Sequence, residues 1–327
     1  MSLFSRKRLR DQFSNGDSLR LFTEAVEYFQ AYQKEPDSQQ IEDAVQKLET
    51  CRDRYPNDLL PLYYLGLVRV EQGYTGVPEA IKIFERILSD VKDKSLELDA
   101  TYNLGIANIE LYDDKATIRA RKLLNNAVSM AKQVDAVQAR AAGLHSKVLL
   151  LYMDADALEN LRWDELLEVA KVEKRLEELA KELSDGDLPE VPKNYIHAEY
   201  WNVKGIVARY RSISAYEGSE RIARRNQAKE AYEKALQYKR NWIPSLSNLA
   251  TLYQDQFEKP KKALELWQEV LRIRPDDQYA HYNLGKFHHD TDPKKARRHY
   301  EKAPSIPEAR RALARLPEDG EGYGFGW

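Results

Sequence analysis

The stretch AHYNLGKFHHDTDPKKARRHYEKA, residues 280–303, concentrates the side chains best suited to chemistry: His288, His289 and His299 lie near Asp290 and Asp292. Imidazoles and carboxylates in such density can hold a metal ion or exchange protons. The spacing argues against both. Metal-binding helices set two histidines at i and i+4, as in HExxH, and no comparable ligand spacing occurs here. The chain also has no GxSxG, no P-loop and no paired CxxC. GYGFG at 322–326 follows no strand and opens no helix, so it is not a nucleotide loop. Cys51, the single cysteine, falls at a small-residue packing position, which favours a buried structural thiol over a nucleophile. The expectation is a non-enzymatic chain with no catalytic residue, metal site or cofactor.

The composition is that of a charge-rich helical protein. Of 327 residues, 43% are hydrophobic and 32% charged, with Ala, Leu, Glu, Lys and Arg prominent. A formal net charge of −2 offers no global attraction for nucleic acid. One cysteine excludes an intrachain disulfide and fits a reducing compartment, and no apolar run approaches a membrane span. The start, MSLFSRKRLRDQF, has no apolar core of secretory length, so the expected location is cytoplasmic.

Self-similarity supplies the elements that position these residues. YYLGLVRV (63–70), YNLGIANI (102–109), WNVKGIVA (201–208), SNLATLYQ (247–254) and YNLGKFHH (282–289) share a large-then-small pair. Downstream of each comes a small, large, apolar triplet at helical spacing: Ala80-Phe84-Ile87, Ala120-Leu124-Ala127, Ala228-Tyr232-Ala235, Ala263-Trp267-Val270 and Ala296-Tyr300-Ala303. An earlier copy reads Ala44-Leu48-Cys51, followed by Pro56. Spacings of three and four hold each set on one helical face. The small residues let two antiparallel helices approach, and the large one is expected to fill the groove towards the next repeat. A single hairpin cannot bury its own apolar face, so copies must stack. The pattern resembles the tetratricopeptide repeat (TPR) family. The resemblance implies an all-α right-handed superhelix of stacked helix-turn-helix repeats, with five or six units over residues 18–303. The period is uneven: marker glycines Gly66, Gly105, Gly143 and Gly205 are 39, 38 and 62 residues apart. In this frame Gly285 is a packing position and Tyr300 an inter-repeat wedge. His288, His289 and Asp290 end a first helix, and Pro293 starts the second.

Along the chain, residues 1–16 are a basic extension that runs into the helix-cap signal SNGD at 14–17. Residues 17–183 form a first array, whose last part, 163–183, is a long amphipathic helix. SDGDLPEVPKN (184–194) is an acidic Pro/Gly linker, and residues 195–316 form a second array. Ala309, Ala312, Leu313 and Leu316 share one face of a terminal helix that caps the stack. Residues 317–327 are an acidic and aromatic flexible tail.

The function implied is an adaptor or scaffold that binds a peptide or helical segment of a partner protein in the concave groove of the superhelix. Positions around the Leu-Gly marker nominate Tyr63, Tyr102, Asn103, Asn202, Asn248, Tyr282, Asn283 and Lys286 as the binding face. An Asn amide offers both a donor and an acceptor, and Tyr gives rigid area with a polar tip. Chaperone-binding members of the family hold a C-terminal carboxylate with Lys, Asn and Arg. Asn248 and Asn283 match two asparagine positions and Arg310, Arg311 or Arg315 could supply cations, but Pro244 stands where the lysine would be. In the tail, Tyr323, Phe325 and Trp327 are candidate docking anchors. Two alternatives stay open: an RNA-binding repeat protein using the basic stripe Arg221, Arg225 and Lys229, or a self-associating structural subunit. Nucleic acid is the less favoured, since Glu220, Glu230 and Glu233 flank the stripe.

Overall fold

The structure, a computed structural model, describes residues 13–111, 113–134, 137–160, 166–184 and 188–316. Those residues form fifteen α-helices and no strand. In chain order they begin with α1 (Gly16–Lys34), α2 (Ser38–Arg54), α3 (Leu59–Glu71), α4 (Val77–Asp90), α5 (Lys94–Ile109) and α6 (Asp114–Ala131). Three longer helices follow: α7 (Val137–Asp156), α8 (Leu166–Ser184) and α9 (Glu190–Ser214). The last six are α10 (Gly218–Tyr238), α11 (Ile243–Asp255), α12 (Pro260–Ile273), α13 (Gln278–His288), α14 (Pro293–Glu301) and α15 (Pro307–Arg315). Among the described residues no helix is long and apolar enough to cross a membrane.

The sequence states many of the helix starts chemically. Asn15 accepts from the amides of Asp17 and Ser18, and Asp37, Asp93, Asp113, Asp277 and Asp292 cap their helices in the same way. Each such cap satisfies amides that the first turn leaves without a helical partner, and contributes about 1 kcal/mol. Pro260, Pro293 and Pro307 open α12, α14 and α15, where the missing N–H costs nothing. Within the stretch expected as a linker, 184–194, α9 already begins at Glu190.

The chain divides into two compact units, one of residues 1–154 with 174–196, the other of residues 155–173 with 197–327. In the first, α1–α2, α3–α4 and α5–α6 are antiparallel hairpins, each packed on the next. Their core runs through Phe22, Phe29, Leu48, Leu65, Phe84, Ile87 and Leu104. In the second, α11–α12 and α13–α14 are hairpins, α10 packs on α11, α12 on α13, and α15 closes against α14 and α13. Ala309 and Leu316 join Ala296, Tyr300 and Ala303 in one cluster, so α15 caps the last hairpin.

The marker glycines show how each hairpin closes. A Cβ on Gly66 would lie 2.7 Å from the Phe84 ring, and one on Gly105 would lie 2.9 Å from Leu124. On Gly205 and Gly285 it would press still harder on Tyr232 and Tyr300. This corrects the expected wedge: the large second-helix residue sits on the glycine of its own hairpin. Tyr300 reaches the capping cluster as well.

Candidate functional site

The nominated binding face divides in two. Tyr63, Asn103, Asn202 and Asn283 are 5%, 9%, 0% and 5% exposed and lie inside the packing. Their polar groups are used inside the units. Asn103 donates from Nδ2 to the Tyr63 hydroxyl at 3.0 Å and to the Asp99 carbonyl at 2.8 Å, tying α5 to α3. The Asn202 Oδ1 accepts from Ser245 Oγ at 3.1 Å and from Asn248 Nδ2 at 3.0 Å, tying α9 to α11. Asn283 donates to the Tyr279 carbonyl one turn back. Tyr102 makes a 2.5 Å contact from its hydroxyl to His145 Nδ1, tying α5 to α7. All but Asn283, which bonds within its own helix, link neighbouring first helices inside their unit, because a buried amide must be satisfied from whichever neighbour faces it.

Tyr102, Asn248 and Tyr282 keep partial exposure and Lys286 is exposed. In the second unit the Lys286 ammonium stands 5.6 Å from the Tyr282 ring centre. Sequence reasoning missed an equivalent pair: Lys204 is exposed and its ammonium stands 4.6 Å from the Trp201 ring. The signal was present, since aromatic and lysine sit three residues apart in WNVK and four apart in YNLGK, each one turn of the same face. Trp201 and Lys204 on α9, Asn248 on α11, and Tyr282 and Lys286 on α13 thus mark an accessible aromatic, amide and cation set on three first helices.

The basic stripe is committed to packing. Arg221 donates to the Ala215 carbonyl at 3.1 Å, Arg225 to the Gln256 carbonyl at 3.0 Å, and Lys229 lies 3.5 Å from Glu233. Cys51 is fully buried, its thiol directed at the Ser18 carbonyl, and burial above all pushes its pKa up to about 11. Tyr323, Phe325 and Trp327 lie outside the described residues.

The histidines regroup. His289 goes to the Tyr300 hydroxyl, at 3.2 Å, and leaves the other two. In its place His281, two turns before His288 on α13, meets His299 of α14, Nδ1 to Nδ1 at 2.9 Å. The His281 Nε2 lies 3.0 Å from the Pro275 carbonyl, and the His288 ring stacks on His299 at 6.0 Å and 12°. Among the described residues no group of three or more His, Cys, Asp or Glu is arranged to hold a metal ion. Burial holds all three histidines below their ordinary value. For His299 the neighbouring rings, then Lys302 and Lys295, add to it and bring the value to about 4.

Asp99, on the buried side of α5 in the first unit, is a second titratable group that the sequence concealed. It is 7% exposed, and burial, with a smaller push from Asp93, raises it to about 7. Among the described residues no donor reaches its carboxylate.

The hairpins, their glycine-on-ring closure and the capping helix define a tetratricopeptide-like helical repeat protein, each unit a solenoid-like stack. No family model matches the sequence, and no curated protein does. Among solved structures the chain is similar to a tetratricopeptide repeat protein from Parabacteroides merdae, at 12% identity over 91% of this chain and 98% of that one, TM-score 0.43. It is similar to human IFIT1 in a dimer with m7Gppp-AAAA, at 18% identity over 95% of this chain and 74% of that one, TM-score 0.44. It is also similar to TTC0263, a thermophilic TPR protein in Thermus thermophilus, at 14% identity over 83% and 98%, TM-score 0.30. These are loose likenesses, and the class rests on the hairpins themselves.

Proposed function

We propose that the protein is a non-enzymatic adaptor or scaffold that takes a peptide or helical segment of a partner protein on the first helices of its repeats. The observation that carries this reading is the accessible set Trp201, Lys204, Asn248, Tyr282 and Lys286 on consecutive first helices of the second unit. Aromatic faces supply contact area at low entropic cost, the amide reads a ligand backbone, and the ammonium groups favour an acidic or carbonyl-rich segment. In the first unit Tyr102 is the accessible counterpart. The tail aromatics Tyr323, Phe325 and Trp327 form a second candidate contact, with the partner or with another copy.

The occupied state of Arg221 and Arg225 supports a protein ligand over RNA, since guanidinium groups spent on backbone carbonyls are poor phosphate ligands. The test is to purify the protein with its native partners, with and without nuclease, and to follow retention against salt. A protein complex should survive nuclease and lose little between low and moderate salt. A complex that dissolves with nuclease, or whose affinity falls by about 10³ or more over that range, is an RNA complex. Recovery of this chain alone, as a defined oligomer, would favour the self-associating reading.

A further inference from the structure

We infer that the last hairpin of the second unit is an acid-sensitive clasp: proton uptake at the His281, His299 and His288 cluster drives α13 and α14 apart while the preceding hairpin, α11–α12, stays folded. The argument begins with the protons. A carbonyl oxygen only accepts, so the contact from His281 Nε2 to the Pro275 carbonyl at 3.0 Å fixes a proton on that nitrogen. The neutral His281 then presents a lone pair at Nδ1. The 2.9 Å approach of the His299 Nδ1 requires that nitrogen to carry the donor proton. The neutral pair is satisfied with both tautomers fixed.

Added protons have few places to go. The first to enter the pair goes to His299 Nε2, where it leaves the Nδ1–H to Nδ1 bond standing but creates a half-buried cation with the His288 ring stacked on it. A second has only the His281 Nδ1 lone pair, which would set two N–H groups against each other at 2.9 Å. A proton on His288 places another cation on the same stack.

The surroundings oppose each step. Lys295 of α14 and Lys302 just after it act against charge on His299, Lys302 acts on His281, and Lys295 acts on His288. The acids facing the cluster are Asp276, beside His281 before α13, and Asp292, beside His288 in the turn. Asp292 is shared, because its carboxylate caps the Lys295 amide at 3.0 Å and pairs with the Lys295 ammonium at 3.4 Å. The ionic groups of the flanking helices are directed elsewhere. On α12 Arg272 pairs with Glu269, and just beyond it Arg274 lies 3.9 Å from Asp277. On α15 Arg311 pairs with Glu308, and Arg297 of α14 reaches the Leu316 carbonyl at 3.2 Å. The hairpin is short, nine residues in α14 against fourteen in α12, and beside the histidines it is held by Tyr300 on Gly285 and by the Ala296, Tyr300 and Ala303 cluster under the cap. When it opens, Tyr300 leaves Gly285 and the cap of Ala309 and Leu316 loses its seat.

The sign follows from the depressed histidines. The unfolded chain binds more protons between pH ~6.5 and ~4, so closure is complete above that window and weakens as pH falls through it. The experiment is hydrogen exchange of the full chain at pH 7 and pH 4.5, corrected for intrinsic rates. Protection of residues 278–315 should fall at least ~10-fold relative to residues 243–273. His299→Asn keeps a donor at the Nδ1 position and takes no proton, so it should reduce that selective loss to under ~3-fold. Nuclear magnetic resonance titration of the wild-type histidines gives a readout free of any folding defect in the variant. It should show His281 and His299 titrating together, below free histidine. Equal loss of protection in both hairpins, or titration of both rings near pH ~6.5 with the hairpin closed, would overturn the proposal. Opening of the hairpin at pH 7 by a chelator alone would also overturn it, in favour of a bound metal.

Discussion

Two single residues make opposite statements about pH and polarity. Asp99 is raised by burial, so its neutral form belongs to the folded state. Its contribution is fully present below the unfolded value of 3.8 and is lost as pH rises through about 7, the reverse of the histidine cluster. Asp99→Asn should therefore stabilise the first unit by roughly 2–4 kcal/mol at pH 8, with the gain shrinking towards pH 4. Urea denaturation at both pH values checks it, and a variant less stable than wild type at pH 8 would mean that the carboxylate is solvated or paired. The second residue is Tyr232, fully buried with a hydroxyl that finds no hydrogen-bond partner among the described residues, and burial pushes its ionisation far up. Tyr232→Phe removes an unsatisfied group while keeping the ring on Gly205. It should leave stability unchanged or raise it by up to about 1 kcal/mol, read as a thermal midpoint that does not fall. A large loss would show that the hydroxyl is held after all.

At the scale of helices, the glycine under each ring is the feature most exposed to mutation. Gly285→Ala gains about 1 kcal/mol of helix propensity, yet sets a methyl against the Tyr300 ring that also seats the cap. The clash should win, for a net loss of about 1–3 kcal/mol concentrated in α13–α15. Calorimetry of the variant, with Gly218→Ala as a control where nothing lies near, separates strain from propensity. Much of this level was legible in the sequence. The repeat of Leu-Gly and Ala-x3-large predicted the hairpins, SNGD and DTDP predicted helix starts, and Ala309 and Leu316 predicted the cap. What the sequence hid was direction. Asn103 and Asn202 sit where an amide could face a ligand, but the neighbouring first helix brings Tyr63 and Ser245 within hydrogen-bond reach, and burial follows. The same blindness split His289 from His288, since which ring of a helix end turns inward depends on the partner helix. The start of α9 at Glu190 was hidden because a proline in a helix's first turn, as Pro192, reads like a loop residue.

At the scale of the whole molecule, the first helices of the second unit carry accessible aromatic and cationic side chains that packing does not use up. In the second unit the second helices carry packing, hydrogen bonds within the unit consume the buried amides, and Lys204 and Lys286 are exposed on the first helices with Asn248 half-buried. Changing Lys204 and Lys286 together to Glu should weaken a bound acidic or carbonyl-rich segment at least ~10-fold with the thermal midpoint nearly unchanged, because exposed lysines contribute little to folding. Equilibrium binding and a melting curve on the same sample decide this, and a large drop in melting temperature would make the lysines structural.

The most direct measurement is photo-crosslinking in the native cell, with a photoreactive amino acid placed in turn at positions 204, 248 and 286 and, as controls on the second helix α12, at 261 and 265. The account predicts a discrete protein adduct from the three first-helix positions, none from the two controls, and loss of the adduct on Tyr282→Ala. Nucleic-acid adducts, or equal labelling from both helices, would contradict it.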